Sequence, residues 1–337
     1  MAPRARMSDV AKAAGVSIMT VSRALNDNPN VTDKTRQRVF TAIEQLRYHR
    51  NELARSLREK RTRQIGILIP NLFDPFFANC VHAMGIVAMQ HNYSVIIATS
   101  NEDPDTEFEE ANRMLNRNVE GVIIIPAAPA RGSSRLISSE FSNLMIVSVD
   151  RPLDGNHYDS LLVQNKNGGQ LGTGHLIALG HKRIAFITLD AKLYTMRTRQ
   201  QGYREAMTAA GLNPDVRTVT DAFESTVSTL RKLLTVKRPP TALFCANNLI
   251  TRHVLRSLQM LKMHPPESIA LVGFDDFDTA DLLQPGITVV RQPVESLGRL
   301  AAEVLFARLG EANHGPPRRI VLPVELVVRG SCGAQLS

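Results

Sequence analysis

The chain has 337 residues, of which 43% are hydrophobic and 21% charged, so it can bury a substantial core in two or three structural units; disorder, fibrous repeats and a stapled mini-scaffold are excluded. Its net charge of +8 is unevenly placed: residues 1–63 hold 14 Lys and Arg against 6 Asp and Glu, whereas residues 64–337 hold 26 of each. A segregated basic end predicts a polyanionic partner for that end alone.

Residues 8–26 read SDVAKAAGVSIMTVSRALN. Apolar spacing at Val10, Ala11 and Ala14, then at Val21, Ala24 and Leu25, predicts two short amphipathic helices separated by Gly15. Ser8 and Ser17 are the expected caps, each offering a hydroxyl oxygen to amides without an intrahelical partner. Two short helices around a tight turn form a helix-turn-helix, whose second helix enters the DNA major groove. That helix, Ile18 to Asn26, presents Ile18, Met19, Thr20, Ser22 and Arg23 outward. Arg23 is the expected base reader, because its planar fork matches the O6 and N7 acceptors of guanine, worth roughly 1–3 kcal/mol of discrimination. Ile18 and Met19 can touch only apolar features such as a thymine methyl. A helical hairpin with a solvated arginine would share this spacing, and the local +8 favours DNA.

A third helix is expected after the cap Thr32, with Val39, Ala42, Ile43 and Leu46 inward and Lys34, Arg36 and Arg38 outside. Residues 51–60, NELARSLREK, are helical by pattern but too short to be stable alone below about 12–15 residues. Leu57 among Arg55, Arg58 and Lys60 suits an apolar wedge in the minor groove; on these ten residues alone, a charged linker helix with Leu57 packed on a neighbour is the safer reading.

From Ile65 the texture changes to apolar strands at 65–70, 94–99, 122–126, 145–150, 183–188, 242–247 and 269–276, alternating with helices marked by Phe76, Phe77, Cys80, Val81 and Met84, by 197–210, by 230–234 and by 297–309. Near-continuous apolar strands imply parallel sheets covered on both faces. The run from Asp154 to Lys166 breaks this pattern, and seven strands exceed one comfortable sheet, so two α/β lobes flanking a cleft are predicted. Ligands in such sheets bind beyond the carboxyl ends of strands. Pocket candidates therefore lie at 71–77, at Asp150-Arg151, near Arg199, at Asn247-Asn248 and at Asp275-Asp276.

The glycines at 168, 169, 172 and 174 do not spell G-x-G-x-x-G, and no Walker loop, G-x-S-x-G or H-E-x-x-H occurs, so no enzyme is advertised. Cys80, Cys245 and Cys332 lie far apart without a Cys-x-x-Cys; no metal or cofactor is expected, and a reducing cytosol fits. The absence of an apolar leader and of any apolar run near ~18 residues leads to the expectation of a soluble cytoplasmic protein with no membrane partner.

As a set these residues resemble the LacI/GalR family of bacterial transcription regulators. The resemblance is carried by DVAKAAGVSIMTVSRALN, NPNVTDKTRQRV, NELARSL, DPFFA, GVIIIP, HLIALGHKRIAFI, RQQGYREAM, PTALFCANN, IALVGFDD and PVELVVRGS, in order along nearly the whole chain. It implies an α/β protein with a helix-turn-helix DNA-binding headpiece (1–50), a hinge helix and linker (51–63) and a periplasmic-binding-protein-like core (64–337). The core's N-lobe would hold about 64–163 and 293–323, and its C-lobe about 164–292 and 324–337. It also implies a homodimer on a near-palindromic double-stranded operator, acting as a repressor whose affinity is set by a small effector in the cleft.

DNA-binding positions implied by the resemblance are Ser17, Ile18, Met19, Thr20, Ser22, Arg23, Asn26, Arg55 and Leu57, the last as an intercalating leucine. Implied effector positions are Phe76 and Phe77 for stacking, Asp150 and Asp275 as hydroxyl acceptors, Arg199 as a clamp, Phe223 as a lid-side contact and Asn247 as a bidentate amide. Aromatic walls with Asp, Asn and Arg fit a sugar or sugar acid. One of Phe76 and Phe77 is expected to serve core packing. Asn248 stands where the family commonly has Asp, Thr251-Arg252-His253 replaces small residues, and Asp190-Ala191 replaces Gly-Pro. The alternatives are a purine-type effector, or a sugar sensor whose head binds no operator.

Overall fold

The structure, a computed structural model, describes residues 5–48, 61–127, 136, 139–153, 157–310 and 315–334. The chain divides into two compact units, residues 1–62 and 63–337.

In the first unit α1 (Met7–Ala14), α2 (Ile18–Leu25) and α3 (Asp33–Gln45) enclose a small core of Val10, Ala11, Ala14, Val21, Ala24, Val31, Val39, Ala42 and Tyr48. Ser17 caps α2 by accepting the Thr20 N–H at 3.1 Å, and Thr32 caps α3 by accepting that of Thr35. The expectation that Ser8 caps α1 is corrected: the helix begins one residue earlier, and the Asp9 carboxylate accepts the Arg6 N–H at 2.8 Å. A carboxylate is the stronger acceptor and suits the positive end of the helix. Leu46 also departs from its expected inward place; it ends α3 half-open to solvent. Arg38 donates to the Ala14 carbonyl, and Arg36 to the Asn28 carbonyl, so these two outer arginines tie the third helix to both turns.

The second unit contains two six-stranded sheets. The first holds β1 (Gln64–Ile69), β2 (Ser94–Thr99), β3 (Gly121–Ile124), β4 (Met145–Val149), β5 (Asp159–Val163) and a later strand β11 (Arg319–Leu322), in the order β11-β5-β4-β3-β1-β2. The second holds β6 (Ile184–Thr188), β7 (Asp215–Thr218), β8 (Ala242–Cys245), β9 (Ala270–Phe274), β10 (Thr288–Arg291) and β12 (Glu325–Val327), in the order β12-β10-β9-β8-β6-β7. Among the described residues every pairing is parallel except that of β10 with β12. The helices are α4 (Pro75–Gln90), α5 (Pro104–Asn116), α6 (Asn165–Ala178), α7 (Tyr194–Ala209), α8 (Phe223–Leu234), α9 (Asn248–Met260) and α10 (Val294–Gly310). The chain passes between sheets after β5, after β10 and between β11 and β12.

The 154–166 run, which breaks the apolar pattern in the sequence, nevertheless contains β5. Its first residue, Asp159, is 4% exposed and reads as a loop residue. Arg308 donates to it through Nε at 2.7 Å and Nη2 at 3.0 Å, and the Arg318 N–H donates at 2.6 Å. A buried carboxylate is tolerated because its charge is matched and hydrogen-bonded. Those partners hold its carboxyl below the ordinary range despite burial. Among the described residues no helix is long and apolar enough to cross a membrane, and no cluster of His, Cys, Asp and Glu could hold a metal.

Candidate functional sites: the recognition helix and the strand-end cleft

On α2, Val21 and Ala24 are buried, which turns positions 18, 19, 22, 23 and 26 to the opposite face at i, i+3 and i+4 spacing. Ile18 and Met19 are 53% and 63% exposed. Their hydrophobicity would favour the interior, so the exposure of two such neighbours makes this face a candidate contact surface. Ser17, Arg23 and Asn26 are also exposed or half-exposed, while Thr20 and Ser22 are half-buried; Thr20 Oγ1 lies 2.9 Å from Ser17 Oγ, which fixes the start of the helix. Arg23 pairs with no carboxylate among the described residues. Arg55 and Leu57 lie outside the described residues.

The second site grows from the equivalent ends of β4 and β9. Each strand is followed by an aspartate with left-handed backbone, Asp150 at φ 65° and Asp275 at φ 70°. Each donates its N–H to the next strand over, Asp150 to Leu161 and Asp275 to Val290, both at 2.9 Å. This conformation costs a non-glycine residue free energy and aims each side chain off its sheet's edge. Both carboxylates are almost fully buried, at 3% and 7% exposure.

Their partners differ. Asp275 accepts Arg199 Nη1 at 3.2 Å and Gln292 Nε2 at 2.5 Å. Arg199 also donates through Nε to Asn165 at 2.8 Å and through Nη1 to the Ala246 carbonyl at 2.8 Å. Its guanidinium lies 3.7 Å above the Phe274 ring, a cation–π contact worth about 2 kcal/mol when desolvated. Glycines bring α6 and α7 close enough for this: a Cβ at Gly169 would lie 2.2 Å from the Arg199 carbonyl oxygen, and one at Gly202 2.0 Å from that of Lys166. The glycine-rich run that matches no nucleotide loop is thus a helix-packing surface that seats Asn165 beside Arg199.

Among the described residues the Asp150 side chain has only Arg151 Nε, 3.4 Å away, while that arginine's other nitrogens hold Glu102 at 2.6 and 2.7 Å. Burial pushes the Asp150 carboxyl up to about 6; Arg151 and Arg199 oppose the shift and Asp275 adds to it. Asp275 is raised by burial too, with Arg199 pulling the other way. The Cys80 thiol, buried and facing Asp150, Asp74 and Asp275, is pushed far up and is no nucleophile.

Phe76 and Phe77 are both buried, edge to face at 5.4 Å. Phe76 lines a cavity of about 300 Å³ with Asp275, Asp276, Phe277, Arg291 and Gln292. Asp74, which caps α4 by accepting the Phe76 N–H at 2.9 Å, also accepts Asn248 Nδ2 at 2.8 Å and so ties the lobes together. Two expected residues are engaged elsewhere. Asn247 spends its side-chain oxygen capping α9 through the Ile250 N–H at 2.9 Å, and Phe223 packs edge-on against His253 at 5.5 Å beneath Arg256. The sequence singles out neither Gln292 nor Asn165, and it marks Asp74 only as one of residues 71–77. Gln292 follows a four-residue strand that ends in Arg, so its only sequence signal is its place at a crossing between lobes.

Several buried atoms here find no hydrogen-bond partner among the described residues: the acceptors Asp150 Oδ1, Asn248 Oδ1 and Gln292 Oε1, and the donor Arg151 Nε.

A helix-turn-helix unit joined to a two-lobed, periplasmic-binding-protein-like domain is the architecture of a DNA-binding transcription regulator. Residues 6–51 match the family described as bacterial regulatory proteins, lacI family, and residues 173–332 match the periplasmic binding protein-like domain. The chain is 34% identical over 333 residues to the ribose operon repressor of Escherichia coli (strain K12), covering 97% of this chain and 99% of the relative. It is 32% identical over 332 residues to the HTH-type transcriptional repressor PurR of Haemophilus influenzae (strain PittEE), covering 97% and 98%. Among solved structures, the Lac repressor dimer bound to operator and the anti-inducer ONPF superposes with a TM-score of 0.88 at 26% identity, covering 98% of this chain and all of that one. The chain belongs to the lacI family of bacterial regulatory proteins. It is a DNA-binding transcriptional repressor and not an enzyme.

Proposed function

We propose that this repressor binds a near-palindromic operator as a homodimer and that an uncharged sugar in the strand-end cleft sets its operator affinity. The observation that carries the effector class is the imbalance of unpaired groups. Three buried acceptors stand against one buried donor, beside Asp74, Asp150 and Asp275, with Arg199 bound to Asp275 and Arg151 already engaged by Glu102. Each buried acceptor left without a partner costs about 1–3 kcal/mol. A ligand rich in O–H donors recovers that cost, whereas a carboxylate or phosphate meets three acids. This narrows the expected sugar or sugar acid to the neutral sugar.

Dimerisation is supported by the likeness to the Lac repressor, whose structure on operator is that of a dimer, and by exposed apolar side chains such as Ile86 and Met89 on α4 and Ile97 on edge strand β2. Two headpieces then read two half-sites about one helical turn apart, with α2 in each major groove and Leu57 as the minor-groove wedge. Effector acts by differential affinity for two arrangements of the lobes.

Relatives named for ribose and PurR divide the effector question. Thermal melting of the full chain with neutral pentoses and hexoses, their aldonic acids and purine bases decides it, since a ligand at 100 times its Kd adds about 2.7 kcal/mol. A neutral sugar is expected to raise the Tm; a purine base as sole stabiliser would overturn the sugar reading.

A further inference from the structure

The core unit begins at Arg63, which carries a left-handed backbone at φ 51°. For a non-glycine residue this conformation persists only where the surroundings hold it. The Arg63 N–H donates to Glu120 Oε1 at 2.8 Å, and its carbonyl accepts the Ser94 N–H at 2.9 Å. Glu120 donates its own N–H to the Gln64 carbonyl at 2.8 Å, and its Oε2 accepts the Tyr93 hydroxyl at 2.6 Å. One carboxylate therefore fastens the residue at which the chain enters the core.

The far side of that clamp touches α10. The Tyr93 ring meets Phe306 edge-on at 5.0 Å, and Phe306 stacks on His91 at 4.1 Å with planes 8° apart. Helix α10 has 17 residues, about 25 Å of rigid rod. It starts at Val294, two residues after the Gln292 that holds Asp275 in the cleft. One end of α10 thus follows a segment that crosses between the lobes, and the other end presses on the aromatic pair behind Glu120.

We propose that Glu120 is a positioning residue that couples lobe arrangement to operator binding, by holding Arg63 through one oxygen and sensing α10 through Tyr93 with the other. This rests on the reading of the protein as a repressor governed by its lobes. In this proposal movement of the 291–293 crossing is passed to α10, which packs on α4, β3 and β4, and Phe306 passes it to Tyr93. Because both oxygens belong to one carboxylate, displacing the Tyr93 hydroxyl displaces the acceptor of the Arg63 amide. Helix α10 begins just after the crossing segment and reaches Glu120 through Phe306 and Tyr93, and the coupling it carries is the quantity to measure.

The test is a double-mutant cycle in full-length protein that needs no effector. Asn248→Asp replaces the amide that donates to Asp74 with a second acid and so biases the lobes from the cleft. Operator affinity is read by fluorescence anisotropy on the duplex upstream of the protein's own gene, with Tm and Arg63 amide exchange as controls. In the otherwise wild-type chain Asn248→Asp should change operator affinity on the order of ten-fold. In the Glu120→Ala background the same substitution should change it less than about two-fold, with faster Arg63 exchange. Glu120→Gln, which can still accept from Arg63 and donate to Tyr93, should restore most of the response. An undiminished response in Glu120→Ala would overturn the role of Glu120. No response to Asn248→Asp in the wild-type chain would instead overturn the lobe-controlled reading, and the role of Glu120 with it. If Glu120→Ala melts early, the Tyr93→Phe cycle replaces it, and an undiminished response there overturns the proposal equally.

Discussion

The two lobes share one strand order, and each ends its fourth strand on a buried left-handed aspartate, but they equip that residue differently. In the C-lobe Asp275 is already bonded to Arg199 and Gln292, and its arginine is anchored by Asn165, a carbonyl and the Phe274 ring. In the N-lobe Asp150 keeps one oxygen without a partner among the described residues, and burial lifts its carboxyl to about 6. One half of the cleft is thus pre-organised and the other holds a desolvated acceptor, an arrangement in which a ligand's hydroxyl gains most at Asp150.

Breaking the finished half should have the largest effect. Arg199→Ala strands the buried Asp275 charge and leaves Asn165 and the Ala246 carbonyl without their donor, so the core should lose about 3–5 kcal/mol in urea unfolding. Asp150→Asn should act in the opposite sense. A carboxyl raised from 3.8 to about 6 binds its proton more tightly folded than unfolded, so its ionisation destabilises the fold as pH rises from about 4 to 6. Relative to wild type, Asp150→Asn should therefore gain about 2 kcal/mol between pH 4 and pH 7 while losing effector affinity. Urea melts at the two pH values, paired with calorimetric titration of the sugar, check both halves, and a pH-independent difference would contradict the burial argument.

The headpiece sharpens the contrast, because its working surface is exposed and its substitutions should leave the core untouched. Arg23→Ala should cost about 1–3 kcal/mol of operator discrimination while keeping salt-sensitive binding to random duplex. Removing the α2 cap with Ser17→Ala should cost about 1 kcal/mol, read as a lower melting temperature of the headpiece transition.

How much of this is legible in the chain depends on whether a residue's environment is local. The Ser17 and Thr32 caps act within one turn, and their spacing is visible in the chain. Contiguous apolar runs such as IGILI and ALVGF announce central parallel strands because both faces are buried. β5 stays hidden because the Asp159 charge is matched by Arg308 and Arg318, which lie 149 and 159 residues away. β7 stays hidden because an edge strand, half-exposed as DVRT, has no apolar run to show. In the cleft, Asp275 and Arg199 are both marked by the motifs that carry the resemblance, but Gln292 and Asn165 depend on crossings and helix packing that only the fold defines. The engagement of Asn247 as a helix cap and of Phe223 with His253 follows from α9, a helix that pattern alone does not mark.

Operator affinity of the full-length protein, measured by anisotropy at fixed moderate salt with and without a saturating neutral sugar that raises its Tm, bears most directly on effector control. The wild-type affinities should differ at least about five-fold, and Asp150→Asn should abolish the difference at the same sugar concentration. Equal affinity with and without the bound sugar would contradict the account.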